Sequence, residues 1–583
     1  MTEQIEHPYG ISTTKRLVVP AAEQLLYQRK STSGEGHITL VDYMGGDLMV
    51  ERVATAGHGS VIFPERPDLP DFLSYLRLKR IDQPFKSVQL KFQIKAPLAV
   101  AFHLVYEAAA STNEYSGRYS IMFESSFLPT AEYLAARMHG LNHRTAVKYA
   151  EQAQELIADV RKQNYAAYTQ LVSPDIDLTR ELARIPLELN NDTTFFWKID
   201  LYSLSDLIKK KLVLRAMKHT DNLYPYLELL EEAASAVAPL TMQALATQAL
   251  LASVNPLNLT MPRDEEVIDP TPLPSPWKPQ QTRRTTVPDL EALLFERIPY
   301  HDLGAVQAVD YMGDDNSPVE SARVSYGTGT KRVLEDKHLI RYLMRKHHTT
   351  PFEHAELAVE GKVPVFVDPR QAGRHRMLDT HCFMGETLLG SEVFLPSSDQ
   401  LRYQDRKNRQ GRGAELDEEL KPAVMQSLQQ SYARQKALIE TLRSLHSAEE
   451  DIRNVKGVGH YTFNWRTGDL HNWIRFLGLR LEDHAQKEIR DLAQIYAKFL
   501  TALAPTTMQA LQDYHINAIP FTALELPLLA QALNLSPEQV ESLDTYRSVG
   551  LTMKTKEGPE QLKREGVELQ QKLRKLLEKR KQP

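Results

Sequence analysis

The sequence predicts an α+β fold built twice in tandem, each copy a small antiparallel-rich sheet with long helices. Three observations predict it: short motifs that recur in the same order, a proline-rich stretch midway along the chain, and a mixture of period-two and helical apolar patterns. The chain has 583 residues, 42% of them hydrophobic and 25% charged. That is ample for a large core and too long for one ordinary domain.

The repeat is the strongest of the three. Asp42-Tyr43-Met44-Gly45 recurs as Asp310-Tyr311-Met312-Gly313, and each is followed by an Arg-Val pair, Arg52-Val53 and Arg323-Val324. Gln83-Pro84-Phe85 recurs as Thr350-Pro351-Phe352. Val88, Leu90, Phe92 and Ile94 in the first copy, and Leu357 and Val359 in the second, alternate as in a half-buried strand. Leu182-Ala183-Arg184 has a counterpart around Ile452-Arg453, and both copies then show an apolar helical pattern ending in a basic residue, Lys211 and Arg480.

Between the copies the chain carries Pro256, Pro262, Pro270, Pro272, Pro274, Pro276, Pro279 and Pro288. Such a run cannot continue a helix or a central strand, and it reads as an extended linker rather than a long loop within one domain. The expected domains are therefore 1–254 and 291–545, with a linker at 255–290 and a charged helical tail at 546–583. Apolar spacing predicts long helices over 129–171, 225–252, 419–447 and 484–503. In the tail, Leu562, Leu569, Leu573, Leu576 and Leu577 form a helical stripe, read as a terminal helix packed on its own chain.

The net charge of −5 gives no global basic field for nucleic acid. The single cysteine, Cys382, permits no internal disulfide and suits a reducing cytoplasm, where Cys382 reads as an inert packed thiol. The first residues show no signal peptide, and no apolar stretch approaches the roughly 18 residues that cross a bilayer. The histidines at 347, 348, 354, 375 and 381 lack a compact ligand spacing, so no metal is expected.

Two constellations carry chemistry. In the second copy Gln371, Arg374, His375 and Arg376 form a cationic cluster, and two arginines bracketing a histidine can grip phosphate or a flavin edge bidentately. Upstream lies His348-Thr349-Thr350-Pro351-Phe352-Glu353-His354, and downstream Arg480-Leu481-Glu482-Asp483-His484-Ala485-Gln486. In the first copy, Asn113-Glu114-Tyr115-Ser116-Gly117-Arg118-Tyr119 can hold a phosphate on Arg118 and the Ser116-Gly117 turn.

Together these motifs resemble the ThyX family, the flavin-dependent thymidylate synthases, over roughly 35–250 and 295–515. The family carries an Arg-His-Arg triplet followed by an Asn-Glu-x-Ser-x-Arg-Tyr string. The second copy keeps the triplet but has His381-Cys382, Met384 and Glu386 in the string. The first keeps the string but has Tyr106, Glu107 and Ala108 in place of the triplet. The losses are complementary, so the resemblance implies one composite site.

Glu114, Ser116, Gly117, Arg118 and Arg184 of the first copy, with Gln371, Arg374 and Arg480 of the second, would bind deoxyuridylate (dUMP). Ser325, Thr350, Glu353, Arg374, His375, Arg376, His471 and Arg475 would hold FAD. Ser116 would orient the nucleotide and Arg480 activate the uracil. One departure falls on the flavin side: the family's Asn-x-Arg appears as Asp469-Leu470-His471. The resemblance further implies NADPH and methylenetetrahydrofolate as co-substrates, a homodimer of fused chains in place of a tetramer, and no nucleic-acid or membrane partner. The alternative reading is a pseudoenzyme that binds flavin or nucleotide for a regulatory or scaffolding role.

Overall fold

The computed structural model describes residues 2–4, 10–32, 34–55, 68–115, 121–122, 124–138, 140–211, 222–246, 277–323, 333–367, 379–382, 392–404, 412–447, 455, 457–482, 485–519, 521, 529 and 572–574. The chain forms two compact units. One holds residues 1–329 and 348–508, the other 330–347 and 509–583. Within the smaller unit the helix Val333–Arg345 meets a π-helical turn, where Arg341 Nη1 donates to Asp513 Oδ2 at 2.7 Å.

The larger unit contains both copies, and each builds the same antiparallel sheet. In the first copy the strand order is Thr2–Gln4, Gln28–Ser31, His37–Met44, Gln89–Pro97, Asp192–Asp200, Ala110–Glu114. In the second it is Ile298–Tyr300, Gly304–Met312, Glu356–Pro364, Tyr461–Asp469, Asp379–Cys382. β-Branched and aromatic runs such as Thr193-Thr194-Phe195-Phe196-Trp197 suit these strands.

The copies agree in their irregularities as well. The register slips between Leu40 and Asp42, and again between Ala308 and Asp310. Tyr27 (φ 60°) and Phe295 (φ 61°) are both left-handed, as are Gly45 (φ 81°) and Gly313 (φ 76°). Asp200 and Asp469 each cap the helix that follows, accepting from Ser203 N at 2.9 Å and Asn472 N at 2.8 Å.

Several sequence expectations are corrected in detail. The helix expected over 129–171 is two, Ala131–Ala135 and His143–Leu171. Gly140 (φ 82°) lies in the break, and Asn142 caps the second helix through Thr145 N at 3.0 Å. That expected over 225–252 is broken into Tyr224–Val237 and Pro239–Ala246, because Ala238 (φ −144°) leaves helical geometry and Pro239 has no N–H. The other two are Lys421–Ser444 and Lys487–Leu503. Within the segment read as an extended linker, Gln280–Thr282 is a strand and Pro288–Leu293 a helix. In the tail only residues 572–574 are described, and they are helical.

The central strands were expected to be half-buried. Instead Gln89, Lys91 and Lys198 are buried along with Leu90 and Phe92. The polar face of each sheet meets the other copy, where Lys198 pairs with Glu356, and Arg52 Nη2 pairs with Glu360 Oε1 at 2.9 Å.

The copies are also clasped by exchanged arms. Ser12–Thr14 pairs antiparallel with Gln280–Thr282, so the segment leading into each copy crosses to its counterpart. Arg16, fully buried, donates to Tyr311 O and Thr285 O at 2.8 Å each and stacks on the Tyr311 ring at 3.9 Å. Arg284 mirrors it, donating to Leu17 O at 2.7 Å and Tyr43 O at 3.1 Å over the Tyr43 ring. Asp310 accepts from Gly45 N at 3.0 Å and Asp42 from Gly313 N at 3.1 Å. The repeated Asp-Tyr-Met-Gly motif is therefore the clasp itself.

Burial pushes the Asp310 carboxyl up to about 6, against the pull of Arg284 and Arg16. Arg284→Ala removes one of the two guanidiniums that face the buried Asp42 and Asp310, with its bonds to Leu17 O and Tyr43 O, and is expected to cost about 3–5 kcal/mol in denaturant unfolding; a loss below about 1 kcal/mol would refute the clasp. Because the folded pKa of Asp310 lies above its ordinary value, its contribution is full below about pH 4 and lost as pH rises through 6. Asp310→Asn should therefore gain about 1–3 kcal/mol on wild type between pH 4 and 7, read from unfolding curves at both pH values.

Candidate functional site

The first copy's edge strand, Ala110–Glu114, lies on its own sheet with Asn113 opposite Phe196 and Glu114 opposite Phe195. It also abuts the second copy. Thr350, which opens the 3-10 turn Thr350–His354, donates through Oγ1 to Asn113 Oδ1 at 2.9 Å. Glu353, one turn further, is near Ser111 of the same edge strand, whose hydroxyl favours its ionised form. The string of one copy and the Thr-Pro-Phe-Glu segment of the other thus meet within a single chain.

Glu114 and Arg184 of the first copy and His471 of the second lie near this junction. Glu114 accepts from Thr193 Oγ1 at 2.7 Å. Glu114 is exposed as a residue, yet loss of water around its carboxyl outweighs Thr193 and the charge of Arg184 and raises its pKa. Arg184 ends the short helix Arg180–Ala183 and is exposed. From the second copy, His471 Nδ1 lies 3.7 Å from Glu353 Oε1. Burial alone would raise the Glu353 pKa, but the nearby His471 and the Ser111 hydroxyl prevail and lower it. Glu353 is accordingly an ionised acceptor.

His471, Arg475 and Arg480 ride on one helix, Leu470–Arg480, with His471 in its first turn, Arg475 exposed and Arg480 in its last turn. His354 is fully buried with neither ring nitrogen hydrogen-bonded, and burial holds its pKa well below the usual value, so its imidazole is neutral. Ser116, Gly117, Arg118, Ser325, Gln371, Arg374, His375 and Arg376 lie outside the described residues.

The sequence reading missed three participants: Asn113 as the partner of Thr350, Ser111 as the partner of Glu353, and Lys198. Asn113 sits in the quoted string and Ser111 two residues before it, and both could have been weighed there. A lysine inside an aromatic strand, Phe195-Phe196-Trp197-Lys198, was the visible signal for the third. Asp469 was read as a departure that weakens a cofactor site. Its carboxylate caps the helix Leu470–Arg480 and also binds Asn472 Nδ2 at 2.8 Å.

The junction on the opposite side, where Asp379–Cys382 neighbours Gln83–Ser87, has different groups. Lys86 stands where Glu353 does, Tyr202 where His471 does, Asp206 where Arg475 does. Tyr202 is engaged with Asp82 at 3.1 Å, and Asp82 with Arg77 at 2.9 Å. Glu107 is paired with Lys210 and with His103 at 3.0 Å. The family's cationic triplet has there become part of a helix end held by ion pairs.

The family described as thymidylate synthase complementing protein (Thy1) matches this chain over residues 19–239 and again over 307–506. The chain belongs to this family. Among relatives, the flavin-dependent thymidylate synthase of Gluconobacter oxydans is 40% identical over 261 residues, 44% of this chain and 86% of its own length. That of Wolbachia pipientis is 36% identical over 251 residues, 42% of this chain and 88% of its own length. A relative nearly matched in full by less than half of the chain is what a tandem duplication produces. Among solved structures, a UMP/dUMP methylase from Streptomyces cacaoi bound with 5-Br UMP is 26% identical, with a TM-score of 0.34, covering 36% of this chain and 95% of its own. This ThyX-family chain is thus an enzyme of the methyltransferase class, with the family fold present twice.

The Thr350–Asn113 contact should be measurable in solution. A double-mutant cycle of Thr350→Val and Asn113→Ala, followed by thermal unfolding, is expected to give a coupling of about 0.5–1.5 kcal/mol. Additive effects would show that the copies do not meet at this point.

Proposed function

We propose that the chain is an FAD-dependent thymidylate synthase with a single composite active site, converting dUMP to dTMP with methylenetetrahydrofolate as one-carbon donor and NADPH as reductant. The reaction balances as dUMP, methylenetetrahydrofolate, NADPH and a proton giving dTMP, tetrahydrofolate and NADP⁺. The observation that carries the reading is the contact of Asn113 and Ser111 with Thr350 and Glu353 across the copies. It joins the copy that keeps the serine string to the copy that keeps the triplet. The opposite junction has Lys86, Tyr202 and Asp206 in the corresponding places.

Glu114, Ser116, Gly117, Arg118 and Arg184 from the first copy and Gln371, Arg374 and Arg480 from the second would bind the nucleotide. Arginines suit its phosphate because they bind it bidentately. Arg480, at the last turn of its helix, would stand beside the uracil and stabilise the negative charge that makes carbon 5 nucleophilic. Ser116 would orient the ring. Ser325, Thr350, Glu353, Arg374, His375, Arg376, His471 and Arg475 would hold FAD, which supplies the redox chemistry when bound. The described members fit such a ligand: an ionised Glu353 and the Thr350 hydroxyl face one junction, with His471 beside them.

We also propose a homodimer of fused chains. The long helix His143–Leu171 buries only Ala146, Ala150 and Tyr168, and it exposes Tyr149, Leu156 and Val160 at helical spacing. An apolar stripe of this kind is a contact surface. Residues 1–254 and 291–545 would be the two ThyX-like domains of each chain.

The purified chain should be yellow, absorbing near about 450 nm as bound flavin does, with one flavin per chain. Arg118→Ala and Arg374→Ala, one in each copy, should each lower turnover of dUMP by about 100-fold or more. Wild type that neither binds flavin nor turns over would overturn the reading, and loss in only one of the two variants would overturn the composite site. Mass measurement should give twice the chain mass, and an active strict monomer would refute the dimer.

A further inference from the structure

The sheets meet through two like-charge pairs. In the second copy Glu356 lies directly opposite Asp469 on the adjacent strand; in the first, Lys91 lies directly opposite Lys198. Like charges facing each other across a ladder are each destabilising alone. Here one member of the basic pair, Lys198, meets the acidic pair across the copies. Lys198, Glu356 and Asp469 are all buried, and the Lys198 ammonium bonds the Glu356 carboxylate. Burial would favour neutral lysine, but Glu356, Asp469 and Glu353 outweigh it and raise its pKa, so Lys198 carries a full charge. The Asp469 carboxyl is pushed up by burial, with Lys198 as the largest opposing influence.

This arrangement exists on one side only. At the opposite junction the counterpart of Lys198 is Thr467, that of Glu356 is Gln89 and that of Glu353 is Lys86. Asp200, the counterpart of Asp469, faces neutral Gln89. Among the described residues, a lysine at this ladder position is therefore placed only beside the junction that holds Thr350, Glu353 and His471. Three carboxylates there, Glu353, Glu356 and Asp469, would repel an anionic dinucleotide approaching the helix Leu470–Arg480. Helix N-termini favour anions, but a capping carboxylate already occupies that place.

We infer that Lys198 is a positioning residue supplied by the first copy to the flavin site of the second: it offsets part of the charge of Glu356 and Asp469 so that the helix Leu470–Arg480 can accept a diphosphate-bearing cofactor. The inference rests on the flavin reading above. It explains the departure at Asp469, since an aspartate where the family has asparagine is answered by a lysine from the other copy.

FAD titrated into the full-length chain, followed by flavin fluorescence, tests it. Lys198→Met alone leaves Glu356 and Asp469 without a cation and should bind FAD at least about tenfold more weakly. Lys198→Met combined with Glu356→Gln restores the wild-type sum of charges, leaves no unpaired partner of the lysine, and should unfold at nearly the wild-type temperature and bind FAD within about threefold of wild type. Should the single variant not fold, Asp469→Asn, which keeps the helix cap and the Lys198–Glu356 pair, should bind FAD more tightly than wild type. FAD affinity unchanged in the single variant, not recovered in the double, or not raised by Asp469→Asn, overturns the role of Lys198 while leaving the flavin reading intact. Wild type that binds no FAD overturns the flavin reading, and this inference with it.

Discussion

The structure depends on the reciprocal clasp of Arg16 and Arg284. Each guanidinium is fully buried, and each takes its carbonyl acceptors partly from the other copy. Removing one arginine would leave Asp42 and Asp310, whose carboxylates are committed to Gly313 and Gly45, with one of their two facing guanidiniums. The four groups form one network, and such networks fail as units rather than bond by bond. Because the arms are exchanged, neither copy completes its own Asp-Tyr-Met-Gly turn. This is a constraint that point divergence elsewhere leaves untouched, and it accounts for the survival of that motif when most of the two copies no longer match.

Around this symmetric clasp the polar faces of the sheets have become asymmetric. Arg52, on the helix Asp47–Thr55, meets Glu360; in register their counterparts are Glu320 and Gln93, so the Arg323-Val324 pair of the sequence repeat is not the equivalent of Arg52-Val53. Lys198 meets Glu356, whereas their counterparts are Thr467 and Gln89. A second copy paired with another second copy would set Glu320 against Glu360, two like charges in a desolvated interface. Two first copies would set Arg52 against Gln93 and Lys198 against Gln89, leaving buried cations without carboxylates. Charge distribution therefore favours the pairing of unlike copies, and fusion keeps them at high local concentration.

Much of this was legible in the residues. The repeat gave the duplication because the clasp motif is local and chemically demanding: aspartate, tyrosine and a left-handed glycine cannot be exchanged freely. Complementary loss of the triplet and the string gave the pairing of halves. Helix ends were less legible. Gly140 and Pro239 are visible breakers, but the apolar spacing on either side of each runs on as though unbroken. The burial of Lys91 and Lys198 was not legible at all. Alternation of polar and apolar residues reads as solvent on one face, and it cannot distinguish water from a second polar sheet. Asp469 was misweighed for a related reason: capping depends on where a helix begins, and charge compensation on a residue some 270 positions away along the chain.

These two facts bear on why one junction is furnished and the other filled. A symmetric pair of sites requires each copy to satisfy two roles at once, offering a string to one partner and a triplet to the other. Fusion removes that demand, because the roles can be divided. Once Glu107 is tied to Lys210 and His103, and Tyr202 to Asp82, the opposite junction gains ion pairs and hydrogen bonds where an open site would leave polar groups to water. Exposed pairs of this kind contribute little individually, but they resist nothing the protein still needs there. The furnished junction carries the reverse balance: Glu353, Glu356 and Asp469 crowd together, and His354 is buried without a hydrogen bond. Unfavourable groups held in place by a surrounding fold are the usual mark of a site kept for chemistry, and among the described residues Glu353, Glu356 and Asp469 crowd beside the junction of Thr350 and Asn113.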